Sequence, residues 1–308
     1  MTAFLHLLGA DSVIGADVVV DDIVAVDGAD AAHVVVAGEG AVDDEQRQRL
    51  AHRLLPTRGP ATSTGLRDVL VISGLQQLLR TLRTRHGTVA LHAHGSHART
   101  IATVLAGVDT TLIVDDGDDR PGHRLLPAPT RICFTSHGDL DRALEAGLLP
   151  RRAALTAPGI DRAVAGVRHD VVIVDGLDRA VVAALEDAGV HTSAWTAHAA
   201  HKARAVVVGA EARCSPALAA AVACGTPCFA LGVPWAADLA RCAAFSVLDP
   251  DDGVDALIDR VLDATPKTPR QLPKALGRAA RTKALLELYE GLGPAPMRAP
   301  MGRPRRRR

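Results

Sequence analysis

The sequence has 308 residues, and at roughly 150 residues per domain this length predicts two domains. Hydrophobic residues make up 48% and charged residues 23%, which excludes a disordered chain, and the 2% of aromatic residues leave few platforms for stacking nucleic-acid bases. The net charge is zero but uneven, because residues 266–308 hold twelve lysines and arginines against two glutamates, a basic end of net charge +10 after an acidic body. The sequence contains no uncharged apolar stretch of about 18 residues and no basic leader, so we expect a cytoplasmic protein without a membrane span or secretion signal. Its five cysteines contain no C-x-x-C pair, so we expect no disulfide framework.

Apolar runs of strand length alternate with helical patterns in the first half of the chain, which is typical of a parallel sheet with helical crossovers. The predicted strands are Phe4–Leu8, His33–Ala37, Val69–Ile72, Val89–His92, Thr111–Val114 and Arg131–Phe134. The predicted helices are Gln76–Arg85, His97–Leu105 and Asp139–Ala146. This pattern predicts one doubly wound domain.

A second and shorter series of strands and helices follows Asp161. Its predicted strands are Asp170–Val174, His191–Trp195, Ala205–Val208 and Pro227–Ala230, and its predicted helices are Arg179–Ala188, Pro216–Ala223 and Val254–Leu262. We therefore predict an α/β protein whose two Rossmann-like parallel-sheet domains, residues 1–164 and 165–265, face a cleft. Residues 266–291 are predicted to form a linker and a closing helix that returns to the first domain, and residues 292–308 a disordered basic tail.

Two turns of the second domain are candidate sites for a phosphate, because ligands of open α/β sheets bind beyond the carboxyl ends of the strands, where helix N-termini offer free N–H groups. The first turn, Val174–Arg179, contains a glycine, the capping candidate Asp178 and the cation Arg179. The second runs from Gly209 through Arg213 to Ser215 and Pro216, a helix cap followed by proline. Both turns also suit a Rossmann-like domain that simply caps its helices.

Several segments resemble glycosyltransferases of the GT-B class in the same order along the chain. They are His92-Ala93-His94-Gly95 after a strand, the crossing from Thr135 to Asp161, the run Ala221–Ala230 that contains Ala-Cys-Gly-Thr-Pro, the segment Val247–Leu257, and the closing helix at Leu285–Tyr289. The resemblance implies transfer of a sugar from a nucleotide-activated donor, without a metal and with no cofactor besides that substrate. Its acceptor is not identified.

The resemblance and the chemistry of the residues together give a set of predicted site residues. The predicted catalytic residues are His94, Asp115 and Glu211; the donor-binding residues are Asp178, Arg179, Arg213, Ser215, Gly225 and Thr226; and the acceptor-binding residues are Gly95, Ser96 and Asp116. Retaining members of this class carry two glutamates at the positions of Ala212 and Ala220, and both are missing here. This departure motivates the alternative that the chain is a catalytically silent homologue that binds a nucleotide, a glycan or a partner protein.

Other histidines and motifs point to weaker alternatives. His92, His94 and His97 suggest zinc, but Gly95 is predicted to end the strand between them, so we expect no metal site. A sugar-phosphate isomerase or a Rossmann protein resembling a translation initiation factor is suggested by Asp119-Arg120-Pro121-Gly122 and Val208–Glu211. That alternative leaves the Ala-Cys-Gly-Thr-Pro run and the closing helix unexplained.

The basic tail is the remaining charged feature. Arg303, Arg305, Arg306, Arg307 and Arg308 could hold the protein peripherally on the inner surface of an anionic membrane. The acidic body and the scarcity of aromatic residues argue against a dedicated nucleic-acid site.

Overall fold

The fold consists of two parallel β-sheets with helices between many of the strands in the described part of the chain, as seen in a computed structural model. The structure describes residues 2–10, 12, 14–26, 31–55, 66–106, 110–115, 130–135, 137–156, 159, 169–194, 202–209, 218, 221, 222, 224–231, 239, 244–248, 252–265, 274 and 277–292. The predicted α/β fold class with two parallel sheets is confirmed. Among these residues, none of the helices has the length and hydropathy needed to cross a membrane.

The first sheet has six strands in the order β2-β1-β3-β4-β5-β6. These strands are β1 Thr2–Leu8, β2 Ala31–Ala37, β3 Thr88–His94, β4 Thr111–Asp115, β5 Thr130–Phe134 and β6 Ala153–Leu155. The helices between them are α1 Ala16–Ala25, α2 Asp44–Arg49, α3 Leu66–His86, α4 Ser96–Leu105 and α5 His137–Glu145, with a 3-10 turn at Pro150–Arg152. All five strand pairs are parallel.

The second sheet has five strands in the order β11-β10-β9-β7-β8, again all parallel. Its strands are β7 His169–Asp175, β8 Thr192–Ala194, β9 Ala203–Val208, β10 Cys228–Leu231 and β11 Phe245–Leu248. In the described part of this half, helices with defined bounds are α6 Arg179–Asp187 and α7 Gly253–Leu262, and they are followed by α8 Arg278–Glu290.

One predicted element has the wrong secondary structure. Residues 69–72 belong to α3, although their apolar, β-branched run reads locally as a strand. The helical period decides the structure, because Val71, Leu75, Leu79 and Leu82 all lie on one buried face of α3. The strands β6 and β11 were not predicted, since three or four residues are too short to show a period.

Side-chain alternation gives the first sheet two buried faces with different chemistry. One face is apolar and packs on α3 and α4, with Leu5, Leu91 and Phe134 at its centre. The opposite face holds Phe4, Ala90 and Ile113, on which Leu285 and Tyr289 of α8 pack. The closing helix thus lies against the first sheet, and it covers the face that carries the polar groups described next.

Candidate functional site

The order of strands places a topological switch point between β1 and β3 of the first sheet. The chain leaves β1 toward β2 on one side, and the later strands are added on the other side, which opens a crevice at the carboxyl ends where α/β proteins bind ligands. His94 ends β3 at this point, and its carbonyl accepts a hydrogen bond from Gly9 N–H at 2.8 Å. Gly95, with φ 102°, turns the chain into α4, and Ser96 is exposed at the start of that helix.

A stripe of histidines lies on the polar face of the sheet just below this edge. His6 on β1 is directly opposite His92 on β3, and His94 follows two residues later on the same face. His33 on β2 is directly opposite Phe4 on β1. All four histidines are buried, with exposures of 1% for His6, 6% for His33, 1% for His92 and 2% for His94.

Asp115, at the end of β4, connects the two histidines of β3. Its Oδ2 lies 2.5 Å from His94 Nδ1, and its Oδ1 lies 3.4 Å from His92 Nε2. The other nitrogen of His94, Nε2, lies 3.3 Å from His6 Nδ1, and His6 Nε2 lies 3.0 Å from His33 Nδ1. On the other side, His92 Nδ1 lies 2.8 Å from the hydroxyl of Tyr289. These contacts form one continuous chain of hydrogen bonds from His33 to Tyr289.

The direction of every bond in this chain follows from the carboxylate, which can only accept. His94 Nδ1–H and His92 Nε2–H therefore donate to Asp115, which leaves His94 Nε2 and His92 Nδ1 as acceptors. His6 then donates from Nδ1 to His94, and His33 donates from Nδ1 to His6. Tyr289 donates its hydroxyl proton to His92. The series of hydrogen bonds ends at His33 Nε2, a buried nitrogen without a hydrogen-bond partner among the residues that the structure describes.

The electrostatics favour neutral rings at His6, His33 and His92 beside an ionised carboxylate. Burial, followed by the neighbouring histidines, lowers the pKa of His6 well below its ordinary value. Burial likewise lowers the pKa of His33 and of His92 to about 4. Burial opposes ionisation of Asp115, but its electrostatic interactions and hydrogen bonds with His94 and His92 outweigh it and hold the pKa of the carboxyl below its usual range. Burial raises the pKa of Tyr289, which keeps the phenol protonated as a donor.

The closing helix α8 covers the buried cluster that consists of His6, His33, His92, His94 and Asp115. The Tyr289 ring lies 4.3 Å from the Phe4 ring, centroid to centroid, and edge-on to His92 at 5.9 Å. About two turns closer to the start of α8, Arg281 Nε donates to Asp22 Oδ2 on α1 at 2.7 Å, and both side chains are buried. The cluster is therefore closed to solvent by α8, a helix from the C-terminal part of the sequence.

In the second sheet the switch point lies between β7 and β9. Gly209, which follows β9, donates its N–H to Asp175 O at 2.8 Å, and a Cβ on Gly209 would lie 2.1 Å from Gly176 O. Glycine is thus required where the two strand ends approach. The exposed Asp178 caps α6 by accepting from Ala180 N–H at 2.9 Å, and the exposed Arg179 begins the helix. A helix N-terminus with a free cation beside it therefore lies at the ligand-binding edge of this sheet.

Gly225 and Thr226 lie at the other end of the second sheet. They precede β10, so they are at the amino ends of the parallel strands, whereas Asp178 and Arg179 lie at the carboxyl ends. Gly225, with φ 74°, and Thr226 donate their N–H groups to Val222 O and Ala221 O, in the pattern that ends a helix. Thr226 is fully buried. This placement separates them from the edge where we predicted donor binding.

The structure joins some of the predicted site residues and leaves others outside the described residues. His94 and Asp115 form a close pair, and Gly95 and Ser96 lie beside them at the same edge. The predicted Glu211, Arg213, Ser215 and Asp116, most of the helix at 216–223 and the arginines of the tail all fall outside the described residues.

Sequence reasoning missed three members of the cluster: His6, His33 and Tyr289. Of the histidines considered for zinc, His92 and His94 share one face of β3 and His97 lies on α4, whereas His6 comes from the neighbouring strand. The available signal was two-residue alternation, which places Phe4 and His6 on one face of β1, just as His92 and His94 share one face of β3. The register between these strands, which joins the two pairs, is not written in the sequence.

Comparison with solved structures identifies the class of fold. Sucrose-phosphate synthase from Thermosynechococcus elongatus matches with a TM-score of 0.62 and 10% identity over 95% of this chain and 99% of that one. The apo lipopolysaccharide outer core galactosyltransferase WaaB matches with a TM-score of 0.60 and 10% identity over 94% and 99%. The UDP-GlcNAc 2-epimerase of Methanocaldococcus jannaschii, solved in complex with UDP-GlcNAc and UDP, matches with a TM-score of 0.56 and 9% identity over 94% and 100%.

The chain therefore has the GT-B fold, which these transferases and epimerases share. No protein-family model matches the sequence, and no curated protein matches it. At 9–10% identity the likeness defines the fold and leaves the reaction to be inferred from the site.

Proposed function

We propose that this protein binds a nucleotide-activated sugar and transfers the sugar to an acceptor. The main support for this proposal is the position of the turn after β7, which lies at the switch point of the second sheet. This turn leads into a helix N-terminus and the exposed Arg179. Neighbours that cover nearly the whole chain include a galactosyltransferase and an epimerase solved with UDP-GlcNAc and UDP. A sugar nucleotide is the ligand type that suits both.

Departure of a nucleoside diphosphate requires groups that meet its negative charge, and helix N-termini and arginines provide this without a metal. Asp178 caps α6 with a single side-chain bond to Ala180, and Arg179 extends from the exposed first turn. We assign the diphosphate to this turn, together with Arg213 and Ser215, which follow β9 in the sequence. On the first sheet we assign the acceptor to the edge at Gly95 and Ser96.

His94 and Asp115 remain predicted catalytic residues, as does Glu211. Their pairing at 2.5 Å is the arrangement of a general base oriented by a carboxylate. Their side chains are 2% and 5% exposed, so a substrate reaches them only if α4 or α8 moves. Product formation by the Asp115→Asn variant tests the role directly, because an uninvolved carboxyl group leaves turnover of the folded protein unchanged.

The decisive experiment is calorimetric titration of the full chain with UDP, other nucleoside diphosphates and their sugars, followed by product analysis with each sugar that binds. A charge-assisted hydrogen bond contributes about 1.5–3 kcal/mol, so Arg179→Ala should weaken binding of the diphosphate about 10-fold to 100-fold. Arg80→Ala, which removes an exposed arginine of α3 in the first half, is the matched control and should bind as the wild type does.

The second candidate is a silent GT-B homologue, and Ala212 and Ala220 favour it because both expected carboxylates are replaced. Tight binding of a sugar nucleotide with neither transfer, epimerisation nor hydrolysis selects this candidate. Failure of every nucleotide and sugar nucleotide to bind rejects the transferase and leaves only a silent homologue that binds a glycan or a partner protein.

A further inference from the structure

The closest contact between His6 and His94 has a geometry that a hydrogen bond and a metal site share. His6 Nδ1 and His94 Nε2 are 3.3 Å apart. Two imidazole nitrogens bound tetrahedrally to one Zn²⁺ at about 2.0–2.1 Å are separated by about 3.3 Å. An ion placed to one side of the line that joins these two nitrogens can therefore reach both at a normal bond length.

A third ring completes the set. One nitrogen each from His6, His92 and His94 lies within 4.8 Å of the others, and all three side chains are buried. The ring centroids of His92 and His94 are only 4.0 Å apart. We propose that His6, His92 and His94 form a binding site for a divalent transition-metal ion of the Zn²⁺ type. A bound ion occupies His94 and excludes the general-base role predicted for it, but it leaves the proposed nucleotide site at Arg179 untouched.

The partners behind the rings suit this role. Histidines that bind zinc donate their second N–H group to a carboxylate or a carbonyl, which orients the ring and raises its basicity. His94 uses Nδ1 in this way toward Asp115, so Nε2 is directed at the metal position. When His6 binds the metal through Nδ1, its proton lies on Nε2, which donates to His33 Nδ1. The proton of His33 then lies on its Nε2, the nitrogen at the end of the series of hydrogen bonds.

Charge also favours a cation at this position. The three rings are neutral ligands, and the single carboxylate of Asp115 partly compensates a doubly charged ion in a buried environment. Imidazole is a ligand that suits Zn²⁺, Ni²⁺ and Cu²⁺ and does not suit Mg²⁺ or Ca²⁺. The site should therefore discriminate between these two groups of ions.

A bound ion would connect β1 and β3 at the switch point, below the helix that closes the sheet. The ligands come from two strands that are adjacent only in the folded state, so metal binding and folding are coupled. Because the rings are closed to solvent by Tyr289 and Phe4, we assign the ion a structural role in the first sheet.

The test uses the full chain, stripped of metal with a chelator and titrated with Zn²⁺, and with Mg²⁺ for comparison. We expect one Zn²⁺ per chain by calorimetry, a higher melting temperature with Zn²⁺ and no rise with Mg²⁺. X-ray absorption of the loaded wild type should show three imidazole ligands, which is a readout that requires no variant. Absence of one-to-one binding by the wild type overturns the proposal.

Variants identify the ligands. His6→Gln and His94→Gln should lose one-to-one binding, and Asp115→Asn should weaken it about 10-fold to 100-fold because the orienting carboxylate is gone. Controls are His191→Gln, an exposed histidine outside the cluster, and Tyr289→Phe, which removes only a hydroxyl group; both should bind as the wild type does. Unchanged binding by folded His6→Gln and His94→Gln overturns the assignment.

A second set of possible ligands must be distinguished from the three histidines. His92, Asp115 and Cys133 also lie within ligand distance of one another. Substituting Co²⁺ for Zn²⁺ should give visible absorption bands without the ultraviolet band of a cobalt thiolate. A thiolate band that Cys133→Ser removes would overturn the three-histidine site.

Discussion

Arg281 on the last helix donates its Nε–H to Asp22 on the first helix at 2.7 Å, across 259 positions of the sequence. Nη1 of Arg281 lies 3.4 Å from the hydroxyl of Thr156, and the guanidinium is completely buried. Burial raises the pKa of Asp22 above its ordinary value, and the charge of Arg281 opposes that shift. The pair therefore determines how α8 is placed on the sheet whose histidines it covers.

Removing one member of this pair should destabilise the protein strongly. Arg281→Leu leaves the Asp22 carboxyl buried without its cation, and we expect a loss of about 3–5 kcal/mol in the free energy of unfolding, measured by urea denaturation. Arg278→Ala is the matched control, because Arg278 pairs with Asp21 at a partly exposed position on the same two helices. Its loss should be about 1 kcal/mol or less. Equal losses in the two variants would show that the buried pair contributes no more to the free energy of unfolding than the partly exposed pair does.

Gly159 should be less tolerant of a side chain than other glycines of the same backbone conformation. It has φ +76°, and a Cβ there would lie 2.4 Å from Cδ of Arg281. Gly40 has φ +72° with no atom within 4 Å of an added Cβ. Gly40→Ala should cost about 1–2 kcal/mol for the left-handed backbone alone. Gly159→Ala should cost about 1–3 kcal/mol more, because it also displaces the buried arginine. Thermal unfolding of the two variants checks this difference, which disappears if Arg281 can move without loss.

The buried histidines predict a dependence of stability on pH in the metal-free protein. His33 and His92 have pKa values of about 4 in the folded state against an ordinary value of 6.5. Between these values the unfolded chain binds protons that the native chain does not, so the stability is complete above pH 6.5 and falls as the pH falls toward 4.

Each such histidine adds up to about 1.4 kcal/mol per pH unit to the slope. Urea midpoints measured from about pH 7.5 down to about pH 4.5 in the presence of a chelator should show the fall. His33→Gln should reduce the slope, and the exposed His191→Gln should leave it unchanged. A flat profile would mean that these rings titrate in the folded protein as they do in the unfolded chain.

The switch point of the second sheet should depend on Gly209. An added Cβ meets the backbone oxygen of Gly176 at 2.1 Å, and backbone cannot move aside as a flexible side chain can. Gly209→Ala should therefore cost about 1–3 kcal/mol and weaken binding of any ligand at the turn after β7. Gly74→Ala, at an exposed position of α3 with open space around it, should instead stabilise the protein by about 0.5–1 kcal/mol. Chemical denaturation of both variants measures the contrast, and a stable Gly209→Ala variant would contradict the close approach.

The sequence alone determined the class of fold and the positions of most strands. Apolar runs such as Phe4–Leu8 and Ala205–Val208 are local signals, and their alternation with helical periods indicates parallel sheets wherever the strands finally pair. The turn with Asp178 and Arg179 was also predictable, because a cap and a glycine turn are local features. The residues 69–72 show the limit of this approach, since only the packed face of α3 distinguishes their helix from a strand.

The tertiary structure decided which of these residues meet. His92 and His94 are two positions apart in the sequence, but His6 and His33 reach them only through the register of β1 with its two neighbours, and Tyr289 only through the return of α8. It also separated Gly225 and Thr226 from the turn at Asp178, because the direction of β10 places them at opposite ends of one sheet. Strand register and helix docking depend on the sum of many small packing contacts over the whole chain, and no single motif encodes them.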